Sequence, residues 1–465
     1  MVLKSISRFL RTPFFLLVVV EAVLLYFAIP IAAKVFGFFG VFAADVESIG
    51  VASRVVFAAT MLIGLFSVGL YQLHQRNRFH ESVARIGVAL CGAVLALLVF
   101  FAVWPAIAIP LPVIFFAIVI SIVAVVIARF VSLRFIDESV FRRRVLIFGA
   151  GTRSSAIFDL RRRADRRGFS VVGQVRAPGD TIVEELKVLE RNGESLLELA
   201  KELRADEIVV AMDDRRGNLP IRQLLDCKLR GIEVVDVVEF LERESGKIRV
   251  DLVNPGWLIL SPGFRAGRMR TFAKRAVDLL VSGFAFLVAW PFMLLLAIAI
   301  KIEDGFSSPV FYRQERVGLH GKSFELLKFR SMVINAEAER GAQFAEVNDS
   351  RVTRVGKVSR KYRLDELPQL LNVLRGQMSL VGPRPERTEF VADLTKKIPY
   401  YAERHSLKPG ITGWAQMNYP YGSTDQDAHE KLQYDLYYVK NHSTLLDLVI
   451  MLQTVEVVLW GRGAR

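Results

Sequence analysis

The chain has 465 residues, 52% of them hydrophobic, and a formal net charge of +14. That length allows about three domains, and the cationic excess suits anionic lipid head groups or phosphorylated substrates. Nucleic acid is excluded as a partner by the lack of zinc-ligand spacing or an RNA-binding signature, and a disulfide framework or cysteine metal site by having only Cys91 and Cys227, which fits a reducing cytosol.

Apolar runs at 14–33, about 55–73, 83–104 and 106–128 each approach the ~20 residues that span a bilayer. Glu21 and Pro30 interrupt the first and a long span soon follows, so it is expected to be retained and not cleaved as a signal peptide. Lys4, Arg8 and Arg11, then Arg76, Arg78 and Arg85, then Arg129, Arg134, Arg142, Arg143 and Arg144 mark three cytoplasmic regions by the positive-inside rule. The intervening loops agree, because one carries Asp45 and Glu47 and the other, from Trp104 to Pro110, carries no charge. Residues 1–130 are therefore expected to form a four-helix transmembrane domain, with 131–144 a basic linker.

From Arg144 the pattern changes to short β-branched runs: 145–151, 171–175, 207–212 and 232–237, separated by helical charge patterns. That alternation predicts a parallel α/β sheet of Rossmann type over 145–265. Gly149-Ala150-Gly151 follows the first strand as a dinucleotide loop would, but Ser154 stands where the third glycine belongs. After Gly173 come Gln174, Val175 and Arg176, where an acidic residue should hold a ribose. A tight packing turn is the better account, although Arg153, Arg161, Arg162 and Arg163 leave an anionic regulator open. Val250–Arg270, with Pro255, Gly256, Pro262, Gly263 and Gly267, has the composition of a linker.

A fifth apolar run, Ala276–Ile300, poses a problem of topology, since a simple crossing would put the basic remainder outside the cell. Trp290-Pro291 in its middle offers a break, because an internal proline removes a helix hydrogen bond and a broken helix can enter and leave by one face. An ordinary fifth span that tolerates the proline is the alternative. Residues 309–332 alternate like a β-hairpin with Gly318 and Gly321 at its turn, and Arg313, Arg316, Lys322, Lys328 and Arg330 add positive charge. Glu337–Glu346 is a charged stretch expected to form a surface helix, and 445–460, with Asp447 and Glu456, an amphipathic helix lying in the membrane interface.

Between lies RKYRLDELPQLLNVLRGQMSLVGPRPE, 360–386, which sets Asp365 and Glu366 at the start of a short apolar run, Leu367–Leu374. A carboxylate near a helix N-terminus is stabilised by the local dipole and is expected to stay ionised. Arg360, Lys361, Arg363, Arg375 and Arg384 surround the pair, a density of cations that suits a polyanion such as a diphosphate. For one Asp-Glu pair alone, a capped surface helix with solvated charges is the simpler account.

KFRSM (328–332), RLDELPQLLNVLRGQMSLVGPRPE (363–386) and KPGITGWAQ (408–416), in that order, resemble the bacterial sugar transferases, the monotopic phosphoglycosyl transferases. The match covers about 268–465, and the preceding spans and Rossmann-like domain resemble the large, WbaP-like branch. The resemblance implies a catalytic domain over 266–465 with a re-entrant membrane helix at about 272–302, broken at Trp290 and Pro291. It implies transfer of a hexose-1-phosphate from a UDP-sugar to polyprenyl (undecaprenyl) phosphate with release of UMP, initiating exopolysaccharide or O-antigen synthesis at the bacterial inner membrane. Asp365 would be the nucleophile, forming a phosphosugar-aspartyl intermediate, and Glu366 would help hold Mg²⁺ or handle a proton. Arg360, Arg384 and Arg330 would neutralise phosphate charge beside the metal, and the Pro383-Arg384-Pro385 turn would hold the nucleotide. Small relatives carry Asn-Gly-Arg after Trp-Ala-Gln, whereas this chain has Asn418-Tyr419-Pro420-Tyr421. Dimerisation is an expectation resting on the resemblance alone. Two rival classes fit less: a membrane-anchored nucleotide-sugar dehydratase or epimerase would need a Tyr-x-x-x-Lys pair, which is absent, and a membrane sensor or scaffold leaves Asp365 and Glu366 unexplained.

Overall fold

The structure is a computed structural model describing residues 13–38, 49–67, 79–135, 142–160, 165–166, 168–178, 180, 188–189, 195–215, 218–261, 263–264, 267–334, 351–420, 422 and 424–460. The chain divides into two compact units, Met1–Val237 and Val238–Arg465. The expected surface helix at Glu337–Glu346 and the arginines Arg161, Arg162 and Arg163 lie outside the described residues.

The first unit begins with four apolar helices, α1 (Pro13–Phe38), α2 (Val51–Ser67), α3 (Phe79–Val103) and α4 (Leu111–Phe135). The last starts later than the hydropathy suggested, because Pro105–Ile107 forms a separate 3-10 turn and Pro110 and Pro112 suit only a first helical turn. Within the described residues, Leu16–Val35 and Leu111–Ser132 of these helices are long and apolar enough to cross a membrane, while Val51–Phe66 and Gly92–Val103 are shorter. Helices α1 and α4 are joined by an ion pair, Arg129 Nε to Glu21 Oε1 at 2.8 Å, with Glu21 wholly buried. Glu21, which interrupted the hydropathy, is thus charge-compensated within the bundle.

The β-branched runs form strands β1 (Arg143–Phe148), β2 (Phe169–Val175), β3 (Glu207–Val210) and β4 (Glu233–Asp236). They make one parallel sheet in the order β2-β1-β3-β4. The short helices α5 (Thr152–Phe158), α6 (Leu196–Glu202) and α7 (Ile221–Leu229) connect them. Every residue of β3 is buried, as the strands of a parallel sheet require, and Leu146, Phe148, Ile208 and Val210 pack with Leu196, Leu199, Leu224 and Cys227.

All but the first residue of α8 (Val237–Ser245) belongs to the second unit. The expected linker that follows is structured: a 3-10 turn at Val250–Leu252 and a helix, α9 (Pro255–Leu260), fill it. Proline at the first position of α9 starts a helix as readily as it ends one, which composition alone does not distinguish. Next comes α10 (Arg268–Asp304), 37 residues and about 55 Å of helix. It continues through Trp290 and Pro291, so the proline sits inside the helix and does not end it.

The predicted hairpin forms from β5 (Phe311–Val317) and β6 (Ser323–Phe329), antiparallel, with positive φ at His320 and Gly321 in its turn. Beyond it lie α11 (Arg354–Lys361), α12 (Gln369–Leu374), β7 (Ser379–Val381), α13 (Thr388–Lys397), β8 (Gly410–Thr412), α14 (Trp414–Asn418), α15 (Asp425–Asn441) and α16 (Thr444–Trp460). Strands β7 and β8 pair in parallel.

The side of α10 that faces the unit is anchored at both ends. Near its start, Lys274 Nζ reaches Asp447 at 2.7 Å and the Val381 carbonyl at 2.9 Å, and Arg275 caps the Val373 and Leu374 carbonyls at the end of α12. Asp278 accepts from Ser379 Oγ and the Leu380 amide, both at 3.0 Å. At its end, Glu303 accepts from the amides of Arg354 and Val355, and Asp304 pairs with Arg330 at 2.7 Å. Between these, Met293, Leu296 and Ile300 pack on Phe329. The opposite side exposes Leu280, Phe284, Leu287, Phe292 and Leu295. Polar groups inside and apolar ones outside reverse the pattern of a water-soluble helix. Helix α16 does the same, burying Asp447 and exposing Leu445 and Leu448.

Candidate active site

The carboxylate pair is shaped by a reversal that its flanking residues force. Helix α11 is capped by Thr353, whose Oγ1 accepts from the Gly356 amide at 2.9 Å, and ends at Tyr362. Arg363 then takes a left-handed conformation, φ 55°, and Leu364–Glu366 closes as a single 3-10 turn. Pro368 opens α12 only after the pair has passed. Asp365 and Glu366 therefore sit on a 3-10 turn whose helical dihedrals continue through Leu367 and Pro368 into α12, at the start of the helical segment.

Leu364 and Leu367, on either side of the pair, pack into the cluster of Met293, Leu296, Ile300 and Phe329 beneath α10. Asn372, wholly buried on α12, accepts from the Leu327 amide at 3.0 Å and donates to the Glu325 carbonyl at 2.7 Å, fastening this segment to β6. That brings Lys328 of β6 to Glu366, 3.6 Å from Oε1. Arg384 Nη2 donates to the same oxygen at 3.1 Å.

The two acids have opposite electrostatics. Burial pushes Asp365 up to about 6, and the neighbouring Glu366 carboxylate adds to this, against the pull of Lys328 and Arg360. Burial also acts to raise Glu366, but Arg384, Lys328 and Arg363 overcome it and hold the group down at about 2. Burial lowers Lys328, which the two carboxylates oppose. Asp365 lies at a helix start as expected, but desolvation and its neighbour outweigh that position and make it the less acidic of the two. Glu366 is a fixed anion that is poorly suited to carry a proton near neutrality.

The Gly382-Pro383-Arg384-Pro385 turn is held carbonyl by carbonyl. Gly410 N donates to Pro383 O at 2.9 Å, Arg404 Nη2 to Arg384 O at 3.0 Å and Arg316 Nη1 to Pro385 O at 3.1 Å. Gly382 and Gly410 approach so closely that a Cβ on either would collide with the other's backbone, so the 408–416 segment is the backing of this turn.

Of the residues singled out from sequence, Asp365, Glu366, Arg360 and Arg384 come together, with Pro383 and Pro385 framing Arg384. Arg330 goes elsewhere: β6 ends at Phe329, and Arg330 turns to Asp304. Its Nε and Nη1 are buried with no hydrogen-bond partner among the described residues. Lys328 is the site residue that the sequence reasoning left among general cations; its place two residues before Arg330 on a strand was the available signal. Arg404 and its partner Asp435 carried no local signal.

Among the described residues no group of three or more His, Cys, Asp or Glu could cage a metal. The adjacent carboxylates nonetheless fit Mg²⁺, which commonly takes one or two protein carboxylates and completes its shell with substrate phosphate and water. The mutual repulsion that raises Asp365 is the kind that a divalent ion relieves.

The family described as Bacterial sugar transferase matches residues 269–461. A UDP-N-acetylgalactosamine-undecaprenyl-phosphate N-acetylgalactosaminephosphotransferase of Aeromonas hydrophila is 42% identical over 268 residues, 57% of this chain and 61% of that protein. UDP-glucose:undecaprenyl-phosphate glucose-1-phosphate transferases of Xanthomonas campestris pv. campestris and Klebsiella pneumoniae are each 34% identical, over 312 and 319 residues. These alignments cover 64% of this chain and 62% of the first protein, and 68% and 67% for the second. The chain thus spans about three fifths of the length of the Aeromonas and Xanthomonas relatives. With the motifs, the carboxylate site and the Klebsiella relative matched over two thirds of its own length, this chain belongs to the bacterial sugar transferase family.

Proposed function

We propose that the protein transfers a hexose-1-phosphate from a UDP-sugar to polyprenyl phosphate, the initiating step of exopolysaccharide or O-antigen synthesis. Asp365 attacks the phosphorus next to the sugar, the bond to the UMP oxygen breaks, and UMP leaves. A phosphate oxygen of the polyprenyl phosphate then attacks the aspartyl-bound phosphorus, freeing the carboxylate and forming the lipid diphosphate sugar. The observation that carries this reading is the asymmetric pair: an anion locked by Arg384 and Lys328 beside a buried, less acidic Asp365. Arg360 and Arg384 take phosphate charge, while Arg330 is held away from the pair by Asp304. Asp365 and Glu366 would hold Mg²⁺, which when bound neutralises phosphate charge as a Lewis acid.

The proposal includes a four-span N-terminal domain, a Rossmann-like cytosolic domain and a re-entrant α10 that keeps the catalytic domain at the cytosolic face of the inner membrane. Its support is that both ends of α10 bond to one globular unit while its outer side is apolar. A homodimer is part of the same reading, to be measured as mass in detergent-free lipid discs.

Purified protein given Mg²⁺, a UDP-sugar and polyprenyl phosphate is expected to release UMP and to yield a trapped phosphosugar adduct on Asp365. Release of UDP in place of UMP would sink the assignment. A cysteine placed just after Lys301 is expected to react only from the cytosolic side, and labelling from outside would restore a fifth span.

A further inference from the structure

We infer that Arg404, together with Asp435, is a positioning residue of the transfer site, fixing the backbone of the nucleotide turn so that Arg384 meets Glu366. The kinetic part of this inference rests on the proposed function, but the structural part does not.

Arg404 lies in the 3-10 segment Tyr401–Ser406 and is only 4% exposed. All three of its nitrogens are engaged. Nε and Nη2 form a fork on Asp435 Oδ2 at 3.0 and 2.7 Å, and Nη1 donates to the Tyr401 hydroxyl at 2.8 Å. The remaining bond, from Nη2, goes to the Arg384 carbonyl at 3.0 Å. Asp435 comes from the interior of α15 and is wholly enclosed, at 1% exposure. With four of its five N–H donors used and only 4% of its surface exposed, Arg404 is not placed to meet a phosphate itself. Its route to the chemistry is the Arg384 backbone, whose side chain holds Glu366.

A buried ion pair seldom adds net stability over apolar replacements of the same size, so its retention needs a geometric reason. The planar fork supplies one: a guanidinium can grip a carboxylate and a carbonyl in fixed directions at once, which a single ammonium cannot. The neighbouring carbonyls are held by other elements, Pro383 O by the Gly410 amide and Pro385 O by Arg316 of β5. Arg404 thus holds the middle residue of the turn, the one that carries the charged side chain.

The test uses two charge-preserving variants of the full chain, Arg404→Lys and Asp435→Glu, read by hydrogen–deuterium exchange and by steady-state kinetics. Exchange at the amides of Arg384, Glu386 and Arg387 is expected to rise about tenfold, with the β5–β6 hairpin unchanged, and the UDP-sugar KM to rise about tenfold with the polyprenyl phosphate KM unchanged. The inference is overturned if both variants fold and exchange in the turn matches the wild type, or if both KM values move together. It is equally overturned if neither variant folds, since the pair would then be structural only. A wild type that releases no UMP would defeat the proposed function, and the exchange result would still decide the positioning claim.

Discussion

Two loops in this molecule bring carboxylates to a tight turn, and they do opposite things. In the N-terminal sheet, the Asp213 carboxylate accepts from the amides of Thr152 and Arg153 at 3.0 and 2.8 Å, where Gly149-Ala150-Gly151 leads into α5. Asp180 accepts from the amides of Ala150, Ala177 and Asp213. A Cβ on Gly151 would collide with the Asp213 carboxylate. The donors that a phosphate would need are already satisfied by the chain's own anions. In the C-terminal unit the carboxylates are met by side-chain cations, Lys328 and Arg384 on Glu366, with Arg360 acting on Asp365. A carboxylate spent on backbone amides closes a loop to anions. One set among several side-chain cations leaves positive charge in excess of the carboxylates for a substrate.

The largest effect should follow from the acid that has no locked partner. Asp365→Asn removes the nucleophile and is expected to lower turnover by on the order of a thousandfold or more, measured as UMP release, with the melting temperature held. Arg384→Ala should cost roughly a hundredfold, because one phosphate donor and the lock on Glu366 disappear together. The pH profile comes next. Asp365 is raised to about 6, so its reactive ionised form is lost as pH falls through that value, and the rate should drop about tenfold per unit below it. An acid limb near 4 would show that the substrate and metal restore an ordinary carboxylate. The smallest effect on catalysis belongs to the sheet: Asp213→Ala should leave UMP release unchanged and destabilise the fold by about 1–3 kcal/mol, from orphaned amides at the loop. Loss of transfer in that variant would show that the two loops are not independent.

The strands of the sheet were legible because a parallel strand needs an unbroken apolar run, and Leu146–Phe148 and Ile208–Val210 are such runs. The order of the motifs was enough to bring Asp365, Glu366 and Arg384 together. What stayed hidden depends on distance along the chain or on burial. Asp213 lies some sixty residues from the glycine loop that it closes, and Asp435 is 31 residues from Arg404. The segment after Val250 has proline and glycine enough for a linker, but Trp257, Leu258, Ile259 and Leu260 turn it into a helix. The helix start beside Asp365 can be inferred from sequence, whereas the desolvation that raises its acid group cannot be inferred before the turn is packed.

The contact between α10 and the residues on either side of the carboxylate pair has a mechanical meaning. Met293, Leu296 and Ile300 share one apolar cluster with Leu364 and Leu367. Close-packed clusters transmit displacement and do not absorb it. Under the proposed re-entrant placement, α10 would act as a ruler: a tilt or change of depth in a thicker or thinner bilayer would move Asp365 with it, and the height of the reaction above the lipid plane would follow from the helix and the membrane together.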